Sequence, residues 1–292
     1  MALHREMMAT VAHHRHKNNF ISREGFITNY TSNPKQAIMK KYSVTGIGLL
    51  LVATLISISC KKDAGTTTTT TTTGTSTGTV PDVFKKFNST VTISSDGTNI
   101  TIKSDGVPDH KSCYFATNNA RYQAYNGTNT AFSKNPNSIG TKSFTFKIPA
   151  VPAVNATHEA TPLGPIGVAV NGVPIYNQYA GPNTPLTNEI NSFDQYNGHP
   201  DQSSTYHYHV EPLYITLNNT KSALVGFLLD GFPVYGPLEN GKTIVSADLD
   251  AYHGHTSATA DYPNGIYHYH TTADAPYING VGYYGTKGSV TQ

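Results

Sequence analysis

Polar and apolar residues alternate along much of the chain after residue 81, and a spacing of two is typical of β-strands. Residues 89–93 and 99–103 both alternate, and Asp96-Gly97 lies between them. An Asp-Gly pair flanked by alternating segments predicts a β-hairpin. Residues 142–148 repeat the alternation around two phenylalanines. This pattern predicts several short strands, each with one buried face.

Helical periodicity is not sustained anywhere in residues 81–292, and prolines and glycines recur at intervals typical of turns. Residues 187–196 and 246–252 are therefore predicted to form short helices only. We expect a mainly β fold in one domain, 81–292, either a sandwich or barrel-like. A domain of about 200 residues is an ordinary size for an all-β unit.

A Tyr-His-Tyr-His string occurs twice and belongs to a larger internal repeat. The matching segments are 167–176 with 226–235, 194–199 with 250–255, and 206–209 with 267–270. Their order is the same in both halves, which indicates a duplication with halves at about 163–212 and 222–275. Asn171-Gly172 and Asp230-Gly231 occupy matching positions and predict tight turns between two strands.

The repeated string places two imidazoles on one face of a strand. Residues two apart share a face, so His207 pairs with His209 and His268 with His270. Their Cα atoms are expected roughly 6.5–7 Å apart, and the rings can converge on an ion with bonds of about 2.0–2.1 Å. Imidazole is the commonest protein ligand for transition metals, so we expect a divalent ion, Zn, Cu or Fe.

The sequence leaves several candidates for the remaining metal ligands. His199 or Asp194 is a candidate in the first half, and His255, His253 or Asp250 in the second, with His110 as an additional candidate. Each half would then hold its own ion, or both strands would share one four-histidine site, or two nearby sites would form a dinuclear centre.

A purely structural role is the alternative. The histidines would then form a buried polar network with Asp194, Asp230 and Asp250, which helps to specify a fold when every member is bonded. The tyrosines of both strings are predicted to pack in the core with bonded hydroxyls. If the protein is an enzyme, Asp230 is the candidate base, because the matching Asn171 is neutral.

The amino-terminal region resembles a bacterial lipoprotein signal. Lys40 and Lys41 precede an apolar run at 44–59, and small residues lead to Cys60. We expect a signal peptide at 39–59, lipid on Cys60, and a Thr- and Gly-rich linker at 60–80. Residues 1–38 are interpreted as an over-extended start. The domain would then be anchored by lipid outside the cytoplasm, in the periplasm or at the cell surface.

The net charge and the cysteine content bear on two questions: whether nucleic acid is a partner and whether a disulfide forms. Residues 1–59 hold 7 of the 20 basic and 2 of the 18 acidic residues, so the remainder has 13 basic and 16 acidic residues and a net charge of −3. A nucleic acid partner is not expected. With Cys60 lipidated, Cys113 has no partner for a disulfide and is predicted to be a small buried residue.

Several motifs together carry a family resemblance. They are residues 105–110, 166–176, 230–237 and 254–256, with both Tyr-His-Tyr-His strings. In these the chain resembles the YHYH-domain family of bacterial exported lipoproteins. The resemblance implies no particular activity. Three hypotheses follow: a metal-binding domain, a metal-dependent hydrolase or oxidoreductase, or an adhesion or glycan-binding module. The small-molecule or glycan ligand is unknown, and whether the protein is an enzyme stays open.

Overall fold

The computed structural model describes residues 78–292, in which short β-strands predominate. In chain order the strands are β1 (Thr92–Ser95), β2 (Asn99–Ser104), β3 (Phe144–Pro149), β4 (Pro165–Ala169), β5 (Pro174–Tyr176), β6 (Tyr179–Ala180), β7 (Thr184–Pro185), β8 (Gly198–Pro200), β9 (Tyr206–Tyr208), β10 (Leu224–Leu228), β11 (Pro233–Tyr235), β12 (Leu238–Glu239), β13 (Lys242–Thr243), β14 (Gly254–Ser257), β15 (Ile266–His270) and β16 (Ser289–Thr291). The helices are α1 (Leu213–Asn218) and 3-10 turns at Asp82–Lys86, Glu189–Ser192 and Ser246–Asp248. Both predicted short helices are thus 3-10 turns, whereas α1 has no counterpart in the sequence-based prediction.

The smaller sheet has the order β1-β2-β3-β16, and all of its pairings are antiparallel. The predicted hairpin is confirmed as β1 and β2, with Gly97 at a φ of 87° in the connecting turn. Alternation along β2 decides which side chains are buried. Ile100 and Ile102 are fully buried, whereas Lys103 points to the other face and is exposed. The buried face of this sheet covers one side of the core.

The larger sheet has eight strands in the order β14-β15-β11-β10-β4-β5-β9-β8. Its two halves match, because β4 to β9 and β10 to β15 make the same pairings in the same order. The antiparallel pair β4 and β10 lies at the centre, where the two copies meet. The duplication read from the sequence therefore builds one continuous sheet, with the two copies of the repeated string near opposite edges.

Tight turns join the first two strands of each copy. Gly172 and Gly231 both have a φ of 83°, a conformation that glycine adopts at no steric cost. The amide of Gly172 donates to the carbonyl of Ala169 at 2.8 Å, and that of Gly231 donates to the carbonyl of Leu228 at 3.0 Å. These geometries confirm the predicted turns.

Both sheets contribute to a single hydrophobic core, in which Phe146 from β3, Val168 from β4 and Phe227 from β10 are fully buried. The mainly β prediction is confirmed. The barrel-like option is not adopted by the described residues, because neither sheet closes on itself. Cys113 is buried, as predicted.

The predicted start, signal peptide, lipidated cysteine and most of the linker lie outside the described residues. Within 78–292, no helix has the length and apolar character needed to cross a membrane.

Candidate metal centres

The first histidine cluster arises from strand register. β9 directs Tyr206 and Tyr208 into the core and His207 to the opposite face, and His209 follows directly after the strand. His199 lies on β8 directly across the antiparallel ladder from His207. The Nε2 atoms of His199 and His207 are 3.1 Å apart, and those of His207 and His209 are 2.9 Å apart. Three imidazoles therefore meet at one point.

The second cluster repeats this arrangement on the other copy. His255 lies on β14 directly across from His268 on β15. The Nε2 atom of His270 lies 3.1 Å from that of His268 and 3.2 Å from that of His255. The Gly-His motif and the Tyr-His-Tyr-His string are thus partners in one ladder in each half.

A glutamate completes each cluster. Glu189 Oε1 lies 3.1 Å from His199 Nε2 and 3.9 Å from His209 Nε2. Glu239 places Oε2 at 3.1 Å from His255 Nε2 and Oε1 at 3.5 Å from His268 Nε2. In both clusters one ligand atom from each of the four residues lies within 4.8 Å of every other.

These spacings suit a four-coordinate cation. Bonds of about 2.0–2.1 Å in a tetrahedron put neighbouring ligand atoms about 3.3 Å apart. The closest nitrogen–nitrogen and nitrogen–oxygen distances, 2.9–3.9 Å, surround that value, and the remaining pairs lie within 4.8 Å. Three imidazoles and one carboxylate form a donor set that Zn, Cu and Fe all accept.

The outer nitrogens of the first cluster fix two of the three tautomers. Nδ1 of His207 donates to the carbonyl of Thr205 at 3.0 Å, and Nδ1 of His209 donates to the carbonyl of Asn177 at 2.6 Å. Nδ1 of His199 lies 2.7 Å from Ser192 Oγ, and that hydroxyl donates onward to the carbonyl of Glu189. A neutral imidazole has one N–H, so the Nε2 atoms of His207 and His209 present lone pairs to the centre. Nδ1 of His199 also lies 3.3 Å from the amide nitrogen of Asn135, a donor, so its contacts do not select one tautomer.

Two rings of the second cluster follow the same rule. Nδ1 of His268 donates to the carbonyl of Ile266 at 3.0 Å, and Nδ1 of His270 donates to the carbonyl of Gly236 at 2.8 Å. Hydrogen bonds of this kind orient metal-binding histidines and raise their basicity as ligands. Facing lone pairs repel one another, and a cation between them removes that repulsion.

Protonation is disfavoured at these rings. Burial, reinforced by the neighbouring imidazoles, holds the pKa of His207 well below its ordinary value. Burial likewise lowers the pKa of His209 to about 4 and that of His270 to about 4, and it lowers the pKa of His268. Near neutral pH these four rings are therefore uncharged and available as ligands.

The two clusters are far apart. β9 and β15 are separated by five strand-to-strand steps in the larger sheet, which corresponds to about 24 Å at about 4.8 Å a step. Each half consequently assembles its own site. The shared four-histidine site and the dinuclear centre considered from the sequence do not form.

The surroundings of the two clusters differ. In the first, His199, His207 and His209 are only 2–3% exposed. In the second, Glu239, His268 and His270 line a cavity of about 430 Å³. Exposure of the side chains does not separate the clusters, since His255 in the second and Glu189 in the first are each 28% exposed. The second cluster is therefore open to small molecules through this cavity.

The tyrosines of the repeated string support the clusters from the core side. Tyr206 donates to Asp194 at 2.8 Å, and Tyr267 donates to Asp250 at 2.9 Å. The same carboxylates accept backbone N–H groups in the loops that precede the Gly-His motifs, including those of Gly198 and Gly254. Buried tyrosines with bonded hydroxyls were predicted, and the structure confirms them.

Other sequence candidates lie outside the clusters. Asp194 and Asp250 hold the tyrosines and loops just described. His110 contacts the hydroxyl of Tyr208 through Nε2 at 3.0 Å, and His253 contacts Thr272 Oγ1 at 3.0 Å. His110 and His253 are therefore hydrogen-bonded elsewhere, and neither belongs to one of the two clusters.

Asp230 has a structural environment. It is fully buried, and Oδ2 accepts hydrogen bonds from the hydroxyl of Tyr269 at 2.6 Å and from the amide of Gly285 at 2.9 Å. Oδ1 accepts from the amide of Phe232 at 3.3 Å within the tight turn. The contacts indicate that Asp230 anchors the turn, and the base predicted from the sequence gains no support from them.

Sequence reasoning missed both glutamates. The repeat pairs Tyr176 with Tyr235, so Glu239 matches Ala180, and counting back from Asp194 and Asp250 matches Glu189 with Val245. A search for repeated residues therefore passes over them. Residues 81–292 contain only four glutamates. This small number was the one feature of the sequence that could have directed attention to Glu189 and Glu239.

The comparison with protein families agrees with this architecture. The family model described as YHYH protein matches residues 145–244 and 238–282. The chain contains a YHYH domain. All eight residues of the two clusters lie within the matched YHYH region. Comparisons with curated proteins and with solved structures found no match.

Proposed function

We propose that this protein binds two divalent transition-metal ions, one at each cluster of three histidines and a glutamate. Zn, Cu and Fe are the candidates, because borderline nitrogen and oxygen donors in a four-coordinate arrangement suit all three. The YHYH strings supply two ligands to each ion, the Gly-His motifs supply the third, and Glu189 or Glu239 supplies the fourth.

The origin of the two glutamates carries this proposal. Duplication explains why both halves contain matching histidines, but it does not explain matching carboxylates at unmatched positions. Glu189 begins a 3-10 turn, whereas Glu239 ends strand β12. Both nevertheless lie within reach of their three imidazoles. A purely structural histidine network does not require a carboxylate in each half. A metal site does require a fourth ligand, which explains why different elements supply a glutamate to each cluster.

Metal content of the full chain tests the proposal. After reconstitution with Zn, Cu(II) or Fe(II) and removal of excess metal, we expect two ions per chain by elemental analysis. The double variant H207A/H209A is expected to keep one, H268A/H270A to keep one, and the fourfold variant to keep none. His158→Ala is the matched control, because Nδ1 of His158 contacts the carbonyl of Tyr283 at 3.0 Å and the residue lies outside both clusters.

A second candidate function is metal-dependent catalysis, hydrolytic or oxidative, at the second cluster. The cavity of about 430 Å³ beside Glu239, His268 and His270 favours it, because catalytic ions keep a position open to water or substrate. Azide added to Cu(II)-loaded H207A/H209A is expected to give a charge-transfer band, whereas Cu(II)-loaded H268A/H270A is expected to give none. Absence of the band in H207A/H209A would count against catalysis there.

We further propose that the protein is a bacterial lipoprotein held outside the cytoplasm by lipid on Cys60. The support is the sequence alone: two lysines, an apolar run and small residues before the cysteine. Metabolic labelling with a palmitate analogue in a bacterial host is expected to mark the wild-type chain. Cys60→Ser is expected to abolish the label, and persistence of the label would refute lipidation at this residue.

A further inference from the structure

A row of cavities leads away from the second cluster. It consists of three adjoining cavities of about 430, 380 and 220 Å³. The first and second share Ser222, Tyr235 and Ala260 as walls. The second and third share Lys86, Val170 and Asn219. We call these three cavities together the groove.

The groove crosses part of the larger sheet. It begins at His268 on β15, passes Tyr235 on β11 and Leu224 on β10, and reaches Val170 just after β4. Three strand-to-strand steps of about 4.8 Å give a length of about 14 Å. A ligand that fills the groove is therefore an extended chain rather than one compact molecule.

Neutral hydrogen-bonding groups dominate the polar lining of the groove. Amide side chains come from Asn88, Asn171, Asn218, Asn219 and Asn240. Hydroxyl side chains come from Thr220, Ser222, Thr259, Tyr214 and Tyr235. Amide and hydroxyl groups both donate and accept hydrogen bonds. The same is true of sugar hydroxyls. Asn171 donates to Asp109 and Tyr235 to Asp261, so the side chains of Asn240 at one end and Tyr214 at the other are the better placed to bond an oligosaccharide.

The charges of the groove disfavour acidic polymers. Lys86 is the one cation among the described lining residues, and its Nζ is paired with Asp261 at 2.6 Å. Asp109 accepts hydrogen bonds from Asn88 at 3.1 Å and from Asn171 at 3.0 Å. Away from the metal site, an acidic polymer would find no free positive side chain among the described lining residues. An uncharged chain requires none.

We propose that the groove binds a neutral oligosaccharide, with one end of the sugar chain beside the second cluster. The position of that end rests on the metal-binding function proposed above, because only a bound ion would make it a coordination site. The binding of the rest of the chain depends on the groove alone. The sugar-binding option raised from the sequence thereby acquires a location.

Calorimetric titration of the full chain with neutral hexasaccharides tests the proposal. The probes are cellohexaose, xylohexaose, laminarihexaose and mannohexaose, with a Gly-Ser hexapeptide as the non-sugar comparison. Ala260 is exposed and forms a wall between the first two cavities, so Ala260→Trp fills the groove without changing a metal-site residue. We expect at least one hexasaccharide to bind and A260W to weaken it tenfold or more.

The matched control is Ala273→Trp, which adds the same bulk at an exposed position beside a different cavity of about 460 Å³. It is expected to bind the sugar as the wild type does. Metal content and melting temperature are measured on the same samples, so that a folding defect in A260W is recognised. If A260W is misfolded, Ser222→Arg serves instead, because Ser222 is also exposed and shared by both cavities.

The outcomes separate the two proposals. Sugar binding that is blocked at residue 260 supports the groove even in a protein that holds no metal. Metal binding without binding of any hexasaccharide overturns the oligosaccharide proposal and leaves the metal proposal intact. Equal affinity for the hexapeptide, or sugar binding that A260W does not weaken, also overturns it.

The metal-proximal end has its own readout. Cu(II) in the second cluster, loaded into H207A/H209A, is expected to broaden proton signals at one end of the bound sugar. Cu(II) in the first cluster, loaded into H268A/H270A, lies about 24 Å from the second cluster at about 4.8 Å per strand step, and much weaker broadening is expected. Uniform or absent broadening in H207A/H209A would refute the placement of that end.

Discussion

Ala180 in the first copy of the repeat occupies the position that Glu239 occupies in the second. Each ends the first strand of a small two-stranded ribbon, β6 or β12. Only Glu239 extends from there to a histidine cluster, and the first cluster receives its carboxylate from Glu189 in the following 3-10 turn. The two sites therefore share a donor set but differ in the backbone that carries the carboxylate.

Replacing each glutamate separately tests whether it is a ligand. Glu239→Gln is expected to weaken metal binding at the second cluster, and Glu189→Gln at the first. The neutral amide oxygen of glutamine is a weaker metal ligand than a charged carboxylate. Loss of an outer hydrogen-bond partner of a ligand typically costs about 10–100-fold in affinity, and loss of a direct ligand is expected to cost at least as much. Competition titration with a chromogenic chelator measures both constants.

Glu159→Gln is the control for these substitutions. Glu159 is exposed and pairs with Lys287 at 2.8 Å, away from both clusters. Its replacement is expected to leave both affinities unchanged. Equal affinities in wild type, E189Q and E239Q would show that the imidazoles alone hold the ions.

The glycines of the two Gly-His motifs are predicted to be indispensable for site assembly. A Cβ on Gly198 would overlap the phenol of Tyr206, and a Cβ on Gly254 would overlap the phenol of Tyr267. Gly198→Ala is therefore expected to displace β8 with His199 and reduce metal content from two ions to one. Gly254→Ala is expected to do the same at the second cluster. Elemental analysis of the purified variants measures the effect.

Gly181→Ala provides the comparison, because a Cβ there meets open space. This variant is expected to retain two ions. If G198A and G254A also retain two ions, the ladder tolerates the displacement, and the repeated glycine has another origin.

Much of the architecture was predictable because local patterns determine it. Alternation gave the hairpin around Asp96-Gly97, and the repeat gave the two matching halves of the larger sheet. The pairing of His199 with His207 was within reach for the same reason, since both belong to motifs that recur together. Regular spacing along the chain is sufficient to infer contacts of this kind.

The glutamates and the separation of the sites were not predictable in this way. Glu189 and Glu239 reach the clusters through the course of their loops, which residue spacing does not specify. Separation depends on strand order: β4 and β10 meet at the centre, so the histidine strands lie towards opposite edges. The helix α1 was missed because six residues are too few for a periodic signal.

Bound metal is predicted to stabilise the fold. An ion that binds only the folded state at 100 times its dissociation constant adds about 2.7 kcal/mol to the free energy of unfolding. For a domain of this size that corresponds to a rise in melting temperature of about 5–10 °C for each site. Scanning calorimetry with and without a chelator is expected to show the difference in wild type and about half of it in H207A/H209A.

A chelator that leaves the wild-type melting temperature unchanged would instead indicate a structural histidine network. His158→Ala is the matched variant, since it removes an imidazole outside both clusters. Its response to the chelator is expected to equal that of the wild type.

Asp230 is predicted to make the stability of the metal-free protein depend on pH. Burial raises the pKa of its carboxyl above the ordinary value of 3.8, although hydrogen bonds from Tyr269 and Gly285 act in the opposite direction. A group whose pKa is raised by folding contributes stability that is complete below the unfolded pKa. That contribution is lost as pH rises through the folded pKa. Asp230→Asn removes the titration, so the stability of wild type relative to D230N is expected to fall with rising pH.

Denaturant unfolding of both proteins at a series of pH values above 3.8 measures this difference. Comparison with D230N is necessary because buried histidines act in the opposite sense: their lowered pKa values, such as about 4 for His270, remove stability as pH falls. These histidine contributions are common to both proteins and cancel in the difference. A difference that grows with rising pH would show that the hydrogen bonds from Tyr269 and Gly285 outweigh burial. Unchanged metal content in D230N would show that Asp230 is not required for metal binding, although it accepts a hydrogen bond from Tyr269, which lies between the two ligands His268 and His270.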